Sequence, residues 1–349
     1  MGVCGDNLQG GASIGNHIGL FAKSSGKIGL GHLSRMRAFA EQLASVQQNF
    51  TFFCDSASRA VLHGWGFSQK SIKPFSMGML DRSITHAVVD LAYHGNSFLP
   101  GTLGQMADRF ECVVALDSMP PDHISFSNSC FNFDNIVLVT PYLSPERFRP
   151  PPPKGVRWLT GVDYSIYNSK HSTATTSDLH AGRERRLLIS CGGSDPTELS
   201  LELLQRVVGD SLIPVRVIIG PLYRDSTVRK IKDLCNLKPS VQILDGVKDM
   251  ASEFLWASHV YGRVGITRYE VASLNRHGVY FNESESFQDY YDFLTESDFC
   301  RVYSMFDKNL FLDEFSAELR KPSTLSDCEM RTTVFRRDGV QRIIECLLG

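Results

Sequence analysis

Short apolar runs alternate with helical patterns along this chain, and that alternation constrains the fold more than any other feature. Four largely apolar runs lie in the first half, at 17–22, 50–54, 86–91 and 112–116. Runs of this kind are typical of parallel strands that are buried on both faces of a sheet. The segment His32–Ser45, between the first two runs, carries apolar residues near helical spacing. The alternation therefore predicts an α/β fold built from βαβ units.

A break in the middle of the chain divides the alternation into two halves. Pro150 to Pro153 form a proline run that neither a helix interior nor a central strand accepts. Asn168–Arg183 is rich in Ser, Thr and His, and the alternation restarts at Leu187–Ser190. The sequence therefore predicts two Rossmann-like domains that face each other across a cleft. Their predicted limits are residues 1–167 and 185–349, with a linker over residues 168–184.

Charge and cysteine content argue against several classes of protein. The 349 residues carry 36 basic and 38 acidic side chains, so broad electrostatic capture of nucleic acid is not expected. Nine cysteines, an odd number without a CxxC pair, favour a reducing cytoplasm over a disulfide framework. The polar start lacks a secretory signal, and no apolar run reaches the roughly 20 residues that a membrane helix needs. We therefore expect a cytoplasmic protein without a membrane segment; its oligomeric state stays open.

The first candidate site is the glycine-rich segment Gly26–Arg35, which joins the first strand to the first helix. Glycine amides, including that of Gly31, could bind an anion together with the helix N-terminus. Ser34 stands where a dinucleotide fingerprint requires glycine, which argues against a nicotinamide dehydrogenase, and no GK[ST] sequence marks a P-loop. His32 could accept a proton from water or from a hydroxyl group, or it could only cap the helix.

Acidic residues close two of the apolar runs of the first half. Asp90 lies near the end of the run at 86–91, and Asp117 follows the run at 112–116. Functional side chains often lie at the carboxyl ends of parallel strands, so Asp90 is the second candidate catalytic residue. Structural capping is the alternative for both residues. The lone histidines of the chain are expected at the surface or in the linker: His94, His171, His180 and His277.

A turn in the second half, Ser190–Pro196, is a candidate for nucleotide binding. Gly192 and Gly193 permit tight backbone geometry, and exposed amides here, with Ser194, could bind a diphosphate. Ser194 or Asp195 is the expected cap of the following helix. A well-capped turn without a ligand is the alternative.

A second turn, Gly262–Glu270, precedes another helix and is also a candidate for nucleotide binding. Gly265 and Thr267 could again admit a phosphate at the helix start. Glu270, one turn into the helix, could accept hydrogen bonds from both hydroxyl groups of a ribose, and an exposed helical glutamate is the alternative. Gln288 follows a strand and a loop and is a further candidate for the nucleotide site.

Motifs for metal-dependent chemistry are missing from the sequence. It contains no HExxH, no EF-hand loop and no DxD pair that would hold a metal against a nucleotide. We therefore expect a reaction that uses neither a metal nor another cofactor.

Taken together, the motifs resemble one family. The sequence is similar to the UDP-sugar hydrolase of pseudaminic acid biosynthesis and to its relatives among spore-coat polysaccharide proteins, which are similar to murein-type glycosyltransferases. The resemblance implies a GT-B fold whose C-terminal helix packs back on the N-terminal domain. The segments that carry the resemblance occur in the family's order: Gly29–Arg35, Gly161–Tyr167, Ile189–Pro196, Ile218–Pro221, Asp245–Val260, Gly265–Glu270 and Arg337–Arg342.

The resemblance also implies a reaction. In the family, the histidine of the GxGH loop activates water, which attacks the anomeric carbon of a UDP-sugar and releases UDP with inversion. This places the base at His32, the diphosphate at Gly193 and Ser194, and the ribose at Glu270. A UDP-sugar is then the expected partner, and the family's reaction is independent of metal.

The loop before Glu270 departs from the family's pattern. Arg263, Ile266 and Arg268 occur where the family has smaller residues, and Tyr269 stands in the place of a tryptophan. The arginines could neutralise phosphate or accompany a different ligand, so a base other than uracil stays open. Two other functions also stay open: an inverting glycosyltransferase that uses a hydroxyl acceptor, and a non-catalytic protein that binds nucleotide sugars.

Overall fold

The computed structural model describes most of the chain, and this part divides into two compact units. The first contains the described residues within 1–23, 32–169 and 338–349, and the second those within 24–31 and 170–337. His94 and His180 lie outside the described residues. The structure describes residues 16–22, 30–75, 81–91, 98–120 (98–101 as backbone), 123–124, 126, 133–175, 178–179, 184–207, 213–237, 240–322 and 335–349.

Two further features concern the described residues as a whole. None of their helices is long and apolar enough to cross a membrane. No group of three or more His, Cys, Asp or Glu side chains among them could hold a metal ion.

A parallel sheet of seven strands forms the described core of the first unit. Its strands are β1 (His17–Ala22), β2 (Asn49–Cys54), β3 (Ile72–Pro74), β4 (His86–Asp90), β5 (Cys112–Leu116), β6 (Ile136–Thr140) and β7 (Arg157–Thr160). They lie in the order β3-β2-β1-β4-β5-β6-β7, and every neighbouring pair is parallel. The first helices in the chain are α1 (Gly31–Ser45), α2 (Ser56–Gly64), α3 (Phe98–Arg109) and α4 (Ser169–Thr173).

Continuous burial explains why these short apolar segments pair as parallel strands. Every residue of β4 and β6 is buried, so both faces of the sheet are covered, as the sequence predicts. Phe21 of β1 stacks on Phe53 of β2 with ring centroids 4.8 Å apart. Asp55 caps α2 by accepting a hydrogen bond from the amide of Ser58 at 2.8 Å. Local capping and apolar contacts between strands thus act together in this unit.

The second unit is built on a parallel sheet of six described strands. They are β8 (Leu187–Ile189), β9 (Val215–Ile219), β10 (Val241–Asp245), β11 (His259–Arg263), β12 (His277–Phe281) and β13 (Arg301–Tyr303). Their order is β10-β9-β8-β11-β12-β13, again with parallel neighbours. The remaining helices are α5 (Leu199–Arg206), α6 (Asp225–Asn236), α7 (Met250–Trp256), α8 (Thr267–Ser273), α9 (Gln288–Glu296), α10 (Lys308–Arg320) and α11 (Gly339–Leu348).

Two apolar clusters join the helices of the second unit to its sheet. Leu203 of α5, Ile231 of α6 and Phe315 of α10 belong to one cluster. Phe254 of α7 and Val271 of α8 belong to the other. Helices from both clusters therefore bury the central strands, which explains the continuous apolar runs in the sequence.

His171 lies in the segment predicted as a linker, and its side chain is part of a core. It lies in α4 and is completely buried, with its ring 5.8 Å from that of Phe254. Ala174, three residues later, joins the same apolar cluster as Phe254. The segment therefore contributes to a core, and burial lowers the pKa of His171 to about 4.

The C-terminal helix α11 packs back on the first unit, as predicted. It contacts β5 and the turn at 162–164 through a face that buries Ile343 and Leu347. Gly339 is required at the start of this helix, because a Cβ there would lie 2.2 Å from the carbonyl oxygen of Ser165. Helix α11 therefore belongs to the same compact unit as strand β1.

Each sheet reverses its strand order at one place, between β1 and β4 in the first and between β8 and β11 in the second. In open α/β sheets, ligands bind beyond the carboxyl ends of the strands at such a switch point. In the first unit these ends lead to His32 and Asp90. In the second they lead to Gly192–Ser194 and Gly265–Glu270. The topology therefore puts these candidates where ligands bind in sheets of this kind.

Gly262→Ala tests how closely β11 approaches the segment after β8. A Cβ on Gly262 would lie 1.9 Å from the carbonyl oxygen of Ser190, and backbone cannot yield there cheaply. We expect the substitution to lower the free energy of unfolding by ~1–3 kcal/mol, measured by urea denaturation. Gly64→Ala is the control, because nothing lies within 4 Å of a Cβ at that position. An unchanged free energy of unfolding for Gly262→Ala would contradict the packing described.

Candidate functional site

A buried carboxylate organises the candidate site of the first unit. Asp90, the last residue of β4, is 1% exposed, and its Oδ1 lies 2.6 Å from Nδ1 of His32 in the first turn of α1. Arg35, one turn further along α1, donates from Nε to Oδ2 at 2.7 Å and from Nη2 to Oδ1 at 2.9 Å. The three side chains meet because β1, which precedes α1, pairs with β4.

The partners of His32 determine which of its nitrogens carries the proton. Burial by itself would raise the pKa of Asp90, but the Arg35 guanidinium and His32 hold that pKa well below its usual range, so the carboxylate is ionised. An ionised carboxylate only accepts hydrogen bonds, so Nδ1 of His32 donates to it at 2.6 Å. Nη2 of Arg35 also lies 2.9 Å from this nitrogen, and with Nδ1 protonated it donates to Oδ1 of Asp90 instead. Nε2 is then the unprotonated, basic nitrogen of the ring.

His32 is neutral near pH 7. Burial lowers its pKa below the ordinary value of 6.5; Asp90 acts in the opposite direction, and Arg35 lowers the pKa further. The side chain keeps 17% of its surface exposed. The site therefore holds an unprotonated base whose orientation is fixed by a carboxylate, which is the arrangement that a general base requires.

Asp117, the other acidic candidate of the first unit, has a structural role. It is buried and pairs with Arg149. The amide of Ile124 donates to it at 2.6 Å and the hydroxyl of Thr140 at 3.3 Å. Burial raises the pKa of Asp117 to about 6 against the pull of Arg149. Its oxygens hold the segment after β5, as the capping alternative predicts.

Glycines shape the turn after β8, and a capping carboxylate closes it. Gly192 has a φ of +79°, a value that favours glycine, and a Cβ on Gly220 would lie 2.4 Å from the carbonyl oxygen of Gly192. Asp195 accepts hydrogen bonds from the amides of Leu199 and Ser200 at 3.0 and 2.9 Å and so caps α5. Because those amides are used, a diphosphate would take its main-chain donors from Gly192–Ser194.

Glu270 is a buried carboxylate with no side-chain partner among the residues described. It lies in α8 and is 9% exposed, and burial raises its pKa to about 7. The alternative of an exposed helical glutamate is therefore wrong. Gly265 and Thr267 lie just before it, where β11 leads into α8. A buried carboxylate without a side-chain partner among the described residues is suited to accept hydrogen bonds from the hydroxyl groups of a ligand.

The two arginines that depart from the family's pattern hold main-chain carbonyl groups. Arg263, the last residue of β11, donates to the carbonyl oxygen of Ser194 at 3.2 Å and pairs with Glu283 at 2.7 Å. Arg268 is buried in α8, donates to the carbonyl oxygen of Gly265 and lies over the ring of Tyr269. Both cations therefore shape the two glycine turns.

Gln288 is held by its neighbours at the start of α9. Its side chain accepts a hydrogen bond from Asn282 at 3.3 Å and donates one to Asp292 at 2.7 Å. The residue before it, Phe287, has a φ of +66°, which is unusual for an aromatic residue. Oε1 can accept a second hydrogen bond and Nε2 has a second N–H to donate, so these two bonds leave Gln288 able to contact a ligand.

Arg35 and Glu283 complete these sites but are missing from the sequence-based candidates. Arg35 lies three residues after His32, and this helical spacing brings the two side chains to one face, which is a signal that the sequence contains. Glu283 follows β12, and its contact with Arg263 depends on the order of the strands. No local pattern predicts that contact.

Comparison with known proteins shows the fold. No protein-family model matches this sequence, and no curated protein does. Solved structures that are similar include MurG of Acinetobacter baumannii, at 14% identity and a TM-score of 0.53 over 95% of this chain and 99% of that one. The glycosyltransferase VinC, solved with dTDP, matches at 9% identity and 0.54 over 94% of each chain. S. aureus MnaA, solved with UDP, matches at 8% identity and 0.53 over 94% and 95%.

These likenesses confirm the predicted GT-B fold. The two parallel sheets of seven and six described strands, with their helices, correspond to the GT-B architecture of these neighbours. At such low identities the comparison shows the fold alone, and the roles of individual residues must be argued from the sites themselves.

Glu270→Gln tests the state of the buried carboxylate through stability. With an ordinary pKa of 4.5 unfolded and about 7 folded, Glu270 costs stability progressively as the pH rises from 4.5 to 7, and fully above pH 7. At pH 8 we expect the variant to be more stable than the wild type, by up to roughly 3 kcal/mol. The difference should vanish below pH 4.5. Urea denaturation across this pH range measures it, and a less stable variant at pH 8 would show that Glu270 has a partner.

Proposed function

We propose that this protein is a nucleotide-sugar hydrolase, which cleaves the glycosyl–phosphate bond of a UDP-sugar with water as the acceptor. The observation that carries the proposal is the His32–Asp90–Arg35 cluster, in which a neutral imidazole is oriented by an ionised carboxylate. The GT-B fold supports nucleotide-sugar chemistry, and the family resemblance supports hydrolysis.

In the proposed reaction, Nε2 of His32 takes a proton from water while the water oxygen attacks the anomeric carbon. The bond from that carbon to the diphosphate oxygen breaks on the opposite face, so UDP leaves with the electron pair and the configuration inverts. Asp90 stabilises the imidazolium that forms, and Arg35 keeps Asp90 ionised. General base catalysis of this kind contributes roughly 10²–10⁴-fold to a rate.

The second unit supplies the groups that bind the nucleotide in this proposal. Amides of the Gly192–Ser194 turn, together with Gly265 and Thr267 at the start of α8, would hold the diphosphate. Fixed main-chain donors stabilise the charge that gathers on a leaving diphosphate without reorganising during the reaction. Glu270 would accept hydrogen bonds from the ribose, which gives its buried carboxylate the partners that the described residues do not provide. Gly31, at the start of α1, is a further candidate donor.

A glycosyltransferase is the second candidate. The same base would then deprotonate a hydroxyl group of a sugar or lipid acceptor instead of water. The likeness to the glycosyltransferase VinC is compatible with this function, and the geometry at His32 suits either acceptor.

Incubation of the full chain with a panel of nucleotide sugars distinguishes these functions. Phosphorus NMR follows the release of nucleoside diphosphate without any added acceptor. We expect release from a UDP-sugar. Release that requires an added hydroxyl acceptor would favour the glycosyltransferase, and tight binding without release or transfer would favour a non-catalytic protein.

His32→Gln and Asp90→Asn test the proposed base and its orientation. We expect both variants to fold and to lose roughly 10²–10⁴-fold in turnover, because one lacks the base and the other lacks the charge that directs its proton. His86→Gln is the control: His86 is a buried histidine at the opposite end of β4. Turnover by folded His32→Gln at the wild-type rate would refute the assignment.

The pH dependence of turnover tests the protonation state of His32. Because burial lowers the pKa of this histidine, turnover should rise with pH on a limb whose midpoint lies below 6.5. The ratio kcat/KM, measured between pH 4 and 8, follows the pKa of the free enzyme and therefore measures this limb. A midpoint above 6.5 would show that another group controls the acidic limb.

A further inference from the structure

One arginine joins the carboxyl ends of three neighbouring strands in the second unit. Arg263 ends β11, the strand between β8 and β12. Its Nη1 donates to the carbonyl oxygen of Ser194, after β8, and its Nε lies 2.7 Å from Oε2 of Glu283, after β12, in an ion pair. The hydroxyl of Thr197 donates to the other oxygen, Oε1, of Glu283. The carboxylate of Glu283 therefore contacts both Arg263 and Thr197, which lies in the segment after Ser194.

Two carbonyl groups of the Gly192–Ser194 turn, those of Gly193 and Ser194, are anchored by hydrogen bonds. The amide of Leu222 donates to the carbonyl oxygen of Gly193 at 2.9 Å, and Arg263 donates to that of Ser194 at 3.2 Å. In a trans peptide the C=O and the following N–H point in opposite directions. Anchoring these two carbonyls therefore turns the amides of Ser194 and Asp195 the other way, where they can donate to an anion.

The charge of Arg263 is balanced within the protein. Its side chain is 28% exposed, and that of Glu283 is 16% exposed, so the pair is partly shielded from water. In the unliganded protein the guanidinium contacts a carboxylate and a main-chain carbonyl oxygen, and through these contacts it holds the turn. The extra arginine in the motif is thus explained by the shape of the turn.

We propose that Arg263, oriented by Glu283, is a positioning residue that fixes the Gly192–Ser194 turn for the phosphates of a nucleoside diphosphate. This inference rests on the nucleotide role proposed above for that turn. The proposal also gives Glu283 and Thr197 a function. Glu283 orients Arg263, and Thr197 holds Glu283 in place by a hydrogen bond.

A double-mutant cycle tests the proposal by calorimetry on the full chain, with UDP, UMP and uridine as probes. We expect Arg263→Met and Glu283→Gln each to weaken UDP binding about tenfold, since Arg263→Met loses the charge-assisted hydrogen bond to Ser194 and Glu283→Gln loses the ion pair that orients Arg263. The double variant should bind UDP no more weakly than either single variant. Uridine binding should not change, and Arg263→Lys should recover part of the loss.

The ion pair Arg216–Glu253 provides the matched control. Its atoms are also 2.7 Å apart, with side chains 21% and 20% exposed, but it joins β9 to α7. Arg216→Met and Glu253→Gln should leave UDP binding within about twofold. If Arg263→Met does not fold, Thr197→Val serves instead and should weaken UDP binding in the same direction by a smaller factor.

Two kinds of result would overturn the proposal. If Arg263→Met weakens UDP binding while Glu283→Gln strengthens it, Arg263 is a direct phosphate ligand and not a positioning residue. If wild-type protein binds UDP and none of these variants changes the affinity, only this inference fails. Absence of UDP binding by the wild type, with dTDP and GDP also negative, would overturn the proposed function together with it.

Discussion

The ion pair between Asp90 and Arg35 is the interaction on which the candidate site of the first unit depends. A carboxylate as buried as Asp90 stays ionised only if its charge is balanced, and Arg35 covers both of its oxygens. Removing one partner of such a pair typically costs about 3–5 kcal/mol, so the pair also holds α1 against β4. The fixed negative charge then determines the tautomer of His32, and the tautomer determines which nitrogen can take a proton. The ion pair between Asp90 and Arg35 therefore underlies both the packing of this site and the tautomer of His32.

In the second unit, the charged side chains of the candidate sites contact mainly main-chain groups. Asp195 is used by the start of α5, while Arg263 and Arg268 hold the carbonyl groups of two turns. Glu270 is buried without a side-chain partner among the described residues, and its raised pKa reflects that cost. A group that destabilises the unliganded protein in this way is expected where a ligand supplies the missing hydrogen bonds. Glu270 therefore differs from Asp195, Arg263 and Arg268, whose side chains all have main-chain partners.

Much of the fold could be predicted from local patterns. The apolar runs predict parallel strands because burial on both faces leaves polar residues only at the ends of such strands, as β4 and β6 show. The glycine turns could also be located, because φ values such as that of Gly192 restrict the residue type. The contacts that complete the sites could not be found in this way. Arg35 meets Asp90 across 55 residues, and Glu283 meets Arg263 only because β11 and β12 are neighbours.

Local sequence patterns also failed to predict which polar side chains are buried. The sequence around His171 is polar, yet that side chain is buried against Phe254, and Glu270 is buried where its helix would permit exposure. Both outcomes depend on tertiary packing, which overrides local composition. The family resemblance supplied roles for His32 and Glu270, and the geometry supplies the physical reason why those roles are chemically reasonable.

The tautomer of His32 is the quantity that tests this account most directly. Nitrogen-15 NMR of protein labelled in its histidine rings distinguishes a protonated Nδ1 from a protonated Nε2, and His32→Gln assigns the signal. The account predicts that at pH 7 His32 is neutral, with its proton on Nδ1, and that Asp90→Asn disturbs this state. A proton on Nε2 in the wild type, or a fully protonated ring at pH 7, would contradict it.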